Sequence, residues 1–398
     1  MRARVAVAAL LVALCSPAAA AASLQTALAH ALRVPHVSLA ATGAVVLDLE
    51  TGATIYSRNA MLSLLPASNE KLAVTYAALT ALGPGFTIET DVLGEGQQAG
   101  TTWQGDLVLK GYGDPTLSDA DLTALARQVR AAGITQVTGA VLGDESWFDA
   151  RRTALGWKAA FYITESPPLS ALIVDRGVVG RYTSHDPALA AAQLFRNALA
   201  RAGVHVAGSA ATGTADLAAV PIGAVDSPPL SAIVQWMDRV SDNFTAEMLV
   251  KELGAVQADR GTTAAGVGFV TGLLAQAGVP LNGVRLVDGS GLSLLDRLTP
   301  EALASLLSTM WNDLEVRLEL LSSLPVAGRT GTLHDRMRGG AATGIVRAKT
   351  GTTSNASALS GFAGDRYVFS ILQNGWPISW SWARVAQDRF ATVLAAAQ

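Results

Sequence analysis

Three short clusters of polar residues, far apart in the chain, each contain a serine or a lysine, and the first contains both at a spacing of three. They are Ser68-Asn69-Glu70-Lys71, Ser241-Asp242-Asn243 and Lys349-Thr350-Gly351-Thr352. The chain has five lysines against 24 arginines, and two of the five lie in these clusters. Lysine can exchange a proton when its pKa is lowered, whereas arginine cannot. The clusters therefore indicate a serine hydroxyl activated by an amine, which is the chemistry of nucleophilic acyl transfer.

The pattern after Ser68 predicts how its hydroxyl meets Lys71. Apolar residues recur at helical spacing over residues 72–82 and stop at Gly83-Pro84-Gly85, so Ser68 is expected at a helix start. Side chains three positions apart lie on one helix face, which lets the amine reach the hydroxyl. Backbone N–H groups at the helix start form half of an oxyanion hole, and we expect the N–H of Thr352 to supply the other half.

The other two clusters can complete a proton path and a binding site. Ser241 can relay a proton to the leaving group, and Asn243 can hold a substrate amide. Lys349 supplies positive charge that disfavours protonation of Lys71 and attracts a carboxylate. Asp242 is expected to have a structural role.

Each cluster also has a plain structural interpretation: Ser68 as a helix N-cap, residues 241–243 as a polar turn, and Lys349 as a surface lysine. The segment Arg329-Thr330-Gly331-Thr332 resembles the third cluster, but it begins with arginine in a predicted loop, so Lys349 is favoured. The five histidines are scattered. Metal-binding His-Glu-x-x-His, dinucleotide-type glycine spacing and a Gly-x-Ser-x-Gly elbow are all missing from the sequence, so we predict no metal or organic cofactor.

The length of the chain predicts two or three folded units, and its N-terminal residues predict export. The 398 residues are 50% hydrophobic and carry a formal charge of -3, which gives nucleic acid no broad electrostatic attraction. Residues 1–22 combine arginines, an apolar run and an alanine-rich end, typical of a signal peptide. The only cysteine, Cys15, lies there. We expect a periplasmic or extracellular protein that contacts the membrane peripherally at most.

Strand patterns at both ends of the chain enclose helical patterns, which predicts one sheet built from both termini. Residues 86–225 mix both patterns, which predicts an α/β insertion. We therefore expect a signal peptide at 1–22, a split catalytic domain at 23–85 and 226–398, and the insertion between its halves. The insertion is expected to include helices at 119–132 and 187–202, strands near 137–142 and 172–174, and a glycine-rich turn at 94–100.

The three clusters in this order resemble the signature of penicillin-binding proteins and serine β-lactamases. More narrowly, the chain resembles the class C, low-molecular-mass penicillin-binding proteins, the D-alanyl-D-alanine carboxypeptidase and endopeptidase family. The 173 residues from Ser68 to Ser241 match a gap that this family fills with extra domains. The resemblance implies an α+β fold with a transpeptidase-like domain of helices and a five-stranded antiparallel sheet. Four further segments support it: Gly113–Leu117, Gly143–Asp149, Asp288–Ser293 and Gly331–Leu333.

The resemblance also implies a serine peptidase that cleaves peptidoglycan stem peptides through an acyl-enzyme and is inhibited covalently by β-lactams. The expected catalytic residues are Ser68, Lys71, Ser241, Asn243 and Lys349, and the expected substrate-binding residues are Thr350, Gly351 and Thr352. Removal of terminal D-Ala and cleavage of cross-bridges both remain open.

Two alternative functions remain. One is a β-lactamase or esterase on the same scaffold, and the other is an inactive wall-binding protein, against which the intact clusters argue. The Glu-x-x-Leu-Asn segment that deacylates class A β-lactamases does not occur between Asn243 and Lys349. The glutamates in that interval are expected on solvated helix faces: Glu247, Glu252, Glu315 and Glu319.

Overall fold

The computed structural model describes residues 17–398, and the side chains from residue 22 onward. The predicted signal peptide, 1–22, lies mostly outside the described residues, and its last residues form the start of the first helix. Among the described residues, no helix has the length and apolar character needed to cross a membrane.

The described chain alternates short strands with helices. The helices are α1 Pro17–Ala31, α2 Lys71–Leu82, α3 Asp119–Ala131, α4 Pro187–Arg201, α5 Leu230–Val240, α6 Asn243–Ala258, α7 Thr263–Gln276, α8 Pro300–Asn312, α9 Arg317–Ser323 and α10 Trp380–Ala396. The strands are β1 Thr42–Asp48, β2 Thr54–Arg58, β3 Glu89–Ala99, β4 Thr102–Gly111, β5 Gln136–Val137, β6 Val141–Asp144, β7 Val178–Val179, β8 Tyr182–Thr183, β9 His205–Val206, β10 Ala210–Thr212, β11 Val220–Asp226, β12 Val346–Thr352, β13 Ala356–Ala363 and β14 Tyr367–Asn374.

One antiparallel sheet is built from both ends of the chain, as predicted. Its strand order is β12-β13-β14-β1-β2, so that β1, near the N-terminus, pairs with β14, near the C-terminus. α1 and α10 cover one face, and α2 and α8 cover the other. The interior strand β13 was not predicted, because it is buried along its whole length and lacks the alternation that marks a half-buried strand.

α2 lies at the centre of the helical layer. Every residue from Lys71 to Leu79 is buried, because this helix is packed between the sheet and the helices α5 to α8. Because its first nine residues are all buried, α2 provides a rigid base for the residues at its N-terminal end.

Most of the insertion forms a second sheet with its own core, here called the outer module (residues 89–144 and 186–226). Its strand order is β10-β6-β4-β3-β11, with β5 beside β4 and β9 beside β5. α3 and α4 contribute apolar side chains to its core. The turn predicted at 94–100 is wrong, because β3 continues to Ala99. Gly96 faces Gly105 with a φ of 136° there, and a Cβ on Gly96 would lie 2.0 Å from the Gln104 carbonyl oxygen.

The rest of the insertion, residues 145–185, has little regular structure and is here called the 145–185 segment. It packs against α6, where Phe148, Leu169 and Ile173 meet Phe244 and Met248 in a buried cluster. The strand predicted at 172–174 is wrong, because those residues are buried without joining a sheet. Tertiary packing rather than strand pairing explains their apolar character.

Candidate active site

Ser68 lies in a tight turn immediately before α2. Residues 67–70 form one turn of 3-10 helix, so the predicted position of Ser68 at a helix start is confirmed. Lys71, the first residue of α2, donates a hydrogen bond from Nζ to Ser68 Oγ over 3.0 Å. Ser68 is half-buried, whereas Lys71 is completely buried, so the amine reaches the hydroxyl from inside the protein.

Lys71 has three hydrogen-bond acceptors around its Nζ. They are Ser68 Oγ, Asn243 Oδ1 at 2.8 Å and the Ser290 carbonyl oxygen at 2.7 Å. Burial lowers the pKa of Lys71 to about 8, although nearby carboxylates, Asp288 foremost, act in the opposite direction. A pKa this close to neutrality lets the side chain exist both as ammonium and as free amine.

Lys349, on β12, points at the second serine of the site. Its Nζ donates to Ser241 Oγ over 2.7 Å and to the Thr350 carbonyl oxygen over 3.1 Å. Lys349 is completely buried, so its interpretation as a surface lysine is wrong. Burial, with the charge of Lys71, lowers the pKa of Lys349 to about 7. Ser241 ends α5 in a left-handed conformation, with a φ of 63°, which turns the chain toward α6.

Asn243 and Asp242 have different roles at the start of α6: Asn243 contacts Lys71, and Asp242 caps the helix. Asn243 accepts from Lys71 and donates from Nδ2 to the carbonyl oxygen of Glu165 over 3.1 Å. Asp242 is the N-cap, accepting from the backbone N–H of Thr245 over 2.8 Å. It also pairs with Arg176 of the 145–185 segment at 2.9 Å. The predicted structural role of Asp242 is therefore confirmed.

β12 lies close to the Ser68 turn because Gly351 has no side chain. A Cβ on Gly351 would lie 2.8 Å from the Pro66 carbonyl oxygen. Ser68, Ser241, Asn243, Thr350 and Thr352 line one cavity of about 450 Å³. The structure thus brings together all eight predicted residues, five on the cavity wall and three buried behind it, namely Lys71, Lys349 and Gly351.

The match to a protein family decides which peptidase class this arrangement represents. The model of the D-Ala-D-Ala carboxypeptidase 3 (S13) family matches residues 24–182 and 180–397. The chain belongs to the S13 family of peptidases. It is therefore a serine-type D-Ala-D-Ala carboxypeptidase by family, and the resemblance to low-molecular-mass penicillin-binding proteins is confirmed.

Two curated relatives extend over most of this S13 peptidase. It is 33% identical to the D-alanyl-D-alanine carboxypeptidase of Actinomadura sp., with 86% of this chain and 79% of the relative covered. It is 32% identical to carboxypeptidase DacB of Mycolicibacterium smegmatis, with 93% and 83% covered. Among solved structures, penicillin-binding protein 4 of Haemophilus influenzae superposes with a TM-score of 0.80 at 22% identity, covering 94% of this chain and 97% of that one. The predicted fold is thereby confirmed.

Several residues of the S13 peptidase cavity were not predicted. Thr332 accepts a hydrogen bond from Thr350 Oγ1 over 2.7 Å, so the segment at 329–332 joins the site without replacing Lys349. Glu165 reaches the cavity wall from the 145–185 segment, for which no sequence pattern gave a signal. The other unpredicted wall residues are Gly291, Leu292, Asp335, Arg336, Thr353 and Arg384.

A group of buried carboxyls lies behind Lys71 in the S13 peptidase. Oxygens of Glu70, Asp288 and Asp296 lie within 4.8 Å of one another, a spacing that could hold a cation. Burial, with repulsion between neighbouring carboxylates, raises the pKa of Glu70 and raises that of Asp296 to about 10. Asp296 can therefore hold a proton at neutral pH.

Two of the four glutamates expected on solvated helix faces are buried, so that expectation is wrong for Glu247 and Glu252. Burial, with repulsion from the Asp288 carboxylate, raises the pKa of Glu247 to about 8. Glu315 is exposed and Glu319 is half-buried. α6 has neighbours on all sides, which the sequence pattern did not reveal.

Proposed function

We propose that this protein is exported and removes terminal D-Ala from peptidoglycan stem peptides through an acyl-enzyme on Ser68. The observation that carries the proposal is the 3.0 Å contact between Ser68 Oγ and a fully buried Lys71. Burial makes the free amine accessible near neutral pH, and only the free amine can take the serine proton.

The reaction follows from the order of the hydrogen bonds. Lys71 takes the Ser68 proton as Oγ bonds to the carbonyl carbon of the penultimate residue. The carbon–nitrogen bond then breaks, and the departing D-Ala amine receives a proton through Ser241, which Lys349 contacts at 2.7 Å. Water hydrolyses the remaining ester and returns the proton to Ser68.

The same cavity wall supplies groups to bind the peptide. Asn243 has two amide N–H bonds, and only one is needed for its contact with the Glu165 carbonyl oxygen. The other can hold a substrate carbonyl. Lys349, Thr350 and Thr352 form the proposed site for the terminal carboxylate, because they combine positive charge with hydroxyl donors at one strand end.

The relatives support both the peptide and the β-lactam as ligands. The Actinomadura relative is a D-alanyl-D-alanine carboxypeptidase, and the Haemophilus influenzae protein has been solved with a β-lactam bound. A β-lactamase needs a group that activates water for rapid deacylation. Glu247 does not fit that role, since it is buried behind Lys71 with Oε1 held by two backbone N–H groups. We therefore expect a long-lived penicilloyl adduct.

The proposal is tested by labelled penicillin together with D-Ala release from a stem pentapeptide. We expect one adduct, mapped by peptide mass to Ser68, and release of free D-Ala. Ser68→Ala should abolish both activities without unfolding the protein, whereas Ser57→Ala, on an exposed strand position, should change neither.

An adduct on another residue would contradict the assignment of Ser68. Rapid penicillin hydrolysis without D-Ala release would favour a β-lactamase. A cross-linked dimer peptide, assayed in parallel, distinguishes endopeptidase from carboxypeptidase activity. Export is tested by the N-terminus of the protein recovered from its native cells, which should begin close to residue 23.

A further inference from the structure

The loop at residues 288–293 contacts both members of the Ser68–Lys71 pair. The carbonyl oxygen of Ser290 accepts the shortest of the three hydrogen bonds from Lys71 Nζ, at 2.7 Å. Gly291, the next residue, lies against the turn that carries Ser68, since a Cβ on it would be 2.0 Å from the Ala67 carbonyl oxygen. The position of this loop therefore determines where the amine points.

A buried carboxylate holds one side of the loop. Oε1 of Glu247, on α6, accepts from the backbone N–H groups of Gly289 at 2.9 Å and of Ser290 at 2.8 Å. A planar peptide unit joins each carbonyl to the N–H of the next residue, so these two bonds orient the peptide units that precede Gly289 and Ser290, whereas the Ser290 carbonyl shares its plane with the N–H of Gly291. Glu247 thus restrains the loop from the helical side.

The insertion holds the other side of the loop through an indole. Trp157, in the 145–185 segment, donates from Nε1 to Oδ2 of Asp288 over 2.8 Å. The same Asp288 carboxylate accepts from the backbone N–H groups of Gly291 at 2.7 Å and of Ser293 at 2.8 Å. Next to the indole, the carbonyl oxygen of Gly156 accepts from the N–H of Leu294 over 3.2 Å.

We propose that Trp157 is a positioning residue for acylation, which through Asp288 keeps the Ser290 carbonyl on Lys71 Nζ and the amine directed at Ser68. This inference rests on the proposed function of the site. Trp157 does not line the cavity, so it acts through the loop. A lysine side chain has four rotatable bonds, and the loss of one of its three acceptors lets the amine leave its productive direction.

The chain offers a matched control in the same segment. Trp147 donates from Nε1 to Oε2 of Glu252 over 2.8 Å, the same indole-to-carboxylate bond at the same interface with α6. Glu252 does not contact the 288–293 loop through any hydrogen bond in the described part of the chain. Replacing Trp147 by phenylalanine therefore removes an equivalent bond without releasing the loop.

The test measures penicillin acylation of the full-length protein by stopped flow, separating the acylation rate constant k2 from the binding constant K. For Trp157→Phe we expect k2 to fall by about tenfold, below the hundredfold that a misplaced catalytic geometry can cost. K should stay within about twofold, because the proposed substrate-binding residues Asn243, Thr350 and Thr352 lie outside the loop. Trp147→Phe should lower the melting temperature to a similar extent and leave k2 unchanged.

Unchanged k2 in Trp157→Phe, or equal losses of k2 in both variants, would overturn the inference. If Trp157→Phe does not fold, benzothienylalanine at position 157 keeps the shape of the indole and removes only its N–H, with the same expected loss. Crystal structures of wild type and variant give a test independent of activity, since the Lys71 to Ser290 distance should lengthen in the variant. A wild type that is not acylated at Ser68 would instead contradict the proposed function.

Discussion

The two parts of the insertion differ in structure and in what they contact. The outer module has a seven-stranded sheet, two helices and its own apolar core. The 145–185 segment has two short 3-10 turns and one pair of two-residue strands. Yet the irregular segment, rather than the regular module, supplies the hydrogen bonds to residues of the active site.

Three of those contacts reach residues at or next to the active site in the catalytic domain. The Glu165 carbonyl oxygen accepts from Asn243, and Arg176 pairs with Asp242. The third contact is that of Trp157 with the 288–293 loop.

The 145–185 segment has few internal hydrogen bonds between strands, so many of its polar groups bond to neighbouring elements. Some of these contacts are with the outer module, where Gly113 donates to the Ala171 carbonyl oxygen and Leu172 and Val174 join the apolar core. The others tie the segment to the active site.

The strongest test of this comparison places the same substitution in the core of the outer module and in the buried cluster beneath the 145–185 segment. Phe195, in α4, and Phe244, in α6, are both completely buried, and Phe→Ala in a core costs about 3–5 kcal/mol. Phe195→Ala should destabilise the outer module, seen as an earlier urea transition of Trp103 fluorescence, and leave acylation intact. Phe244→Ala should lower the acylation rate, because the Phe244 side chain packs beneath the 145–185 segment and its loss loosens the contacts of that segment with the site. Equal losses of acylation in the two variants would remove the distinction.

The second prediction concerns the base itself. Lys71→Arg keeps the charge but cannot cycle a proton at neutral pH, so k2 should fall by at least ~100-fold. Lys110→Arg, in the outer module, keeps its ion pair with Asp144 and should acylate normally. Near-normal acylation in the Lys71 variant would assign the base role to another residue.

A smaller effect is expected at the ion pair between the segment and α6. The Arg176 side chain is 38% exposed, so solvent screens the pair and its loss should cost less than about 1 kcal/mol. Arg176→Met should therefore reduce k2 by no more than about fivefold. Arg201→Met, which removes a more exposed pair with Asp119 in the outer module, should leave k2 unchanged. A loss of k2 in the Arg201 variant would show that the module also acts on the site.

The sequence alone was sufficient to predict the features of the structure that short-range patterns determine. Helical periodicity located α2 and hence Ser68 and Lys71, because spacing along a helix fixes which side chains meet. The order of the three clusters was sufficient to identify the family, and strand patterns at both ends of the chain were sufficient to predict the sheet that the two termini form. These features depend on residue type and short-range spacing, which a single sequence displays directly.

The features that were missed depend on long-range contacts. Glu247 is buried where the 288–293 loop, some forty residues later in the chain, donates two backbone N–H groups to its carboxylate. Thr332 belongs to the site only because Thr350 lies opposite it. Trp157 and Glu165 occur in a stretch with neither helical nor strand periodicity, so no pattern indicated where they would lie.

The pH dependence of acylation tests the central claim, that a buried Lys71 removes the proton from Ser68. It is best measured as k2 at saturating penicillin, so that binding of the carboxylate does not contribute. Since the pKa of Lys71 is lowered to about 8, the free amine increases about tenfold per pH unit below that value and then saturates. We predict that k2 rises from about pH 6 and levels off above about pH 8. A k2 that is constant or falls over that range would contradict the account.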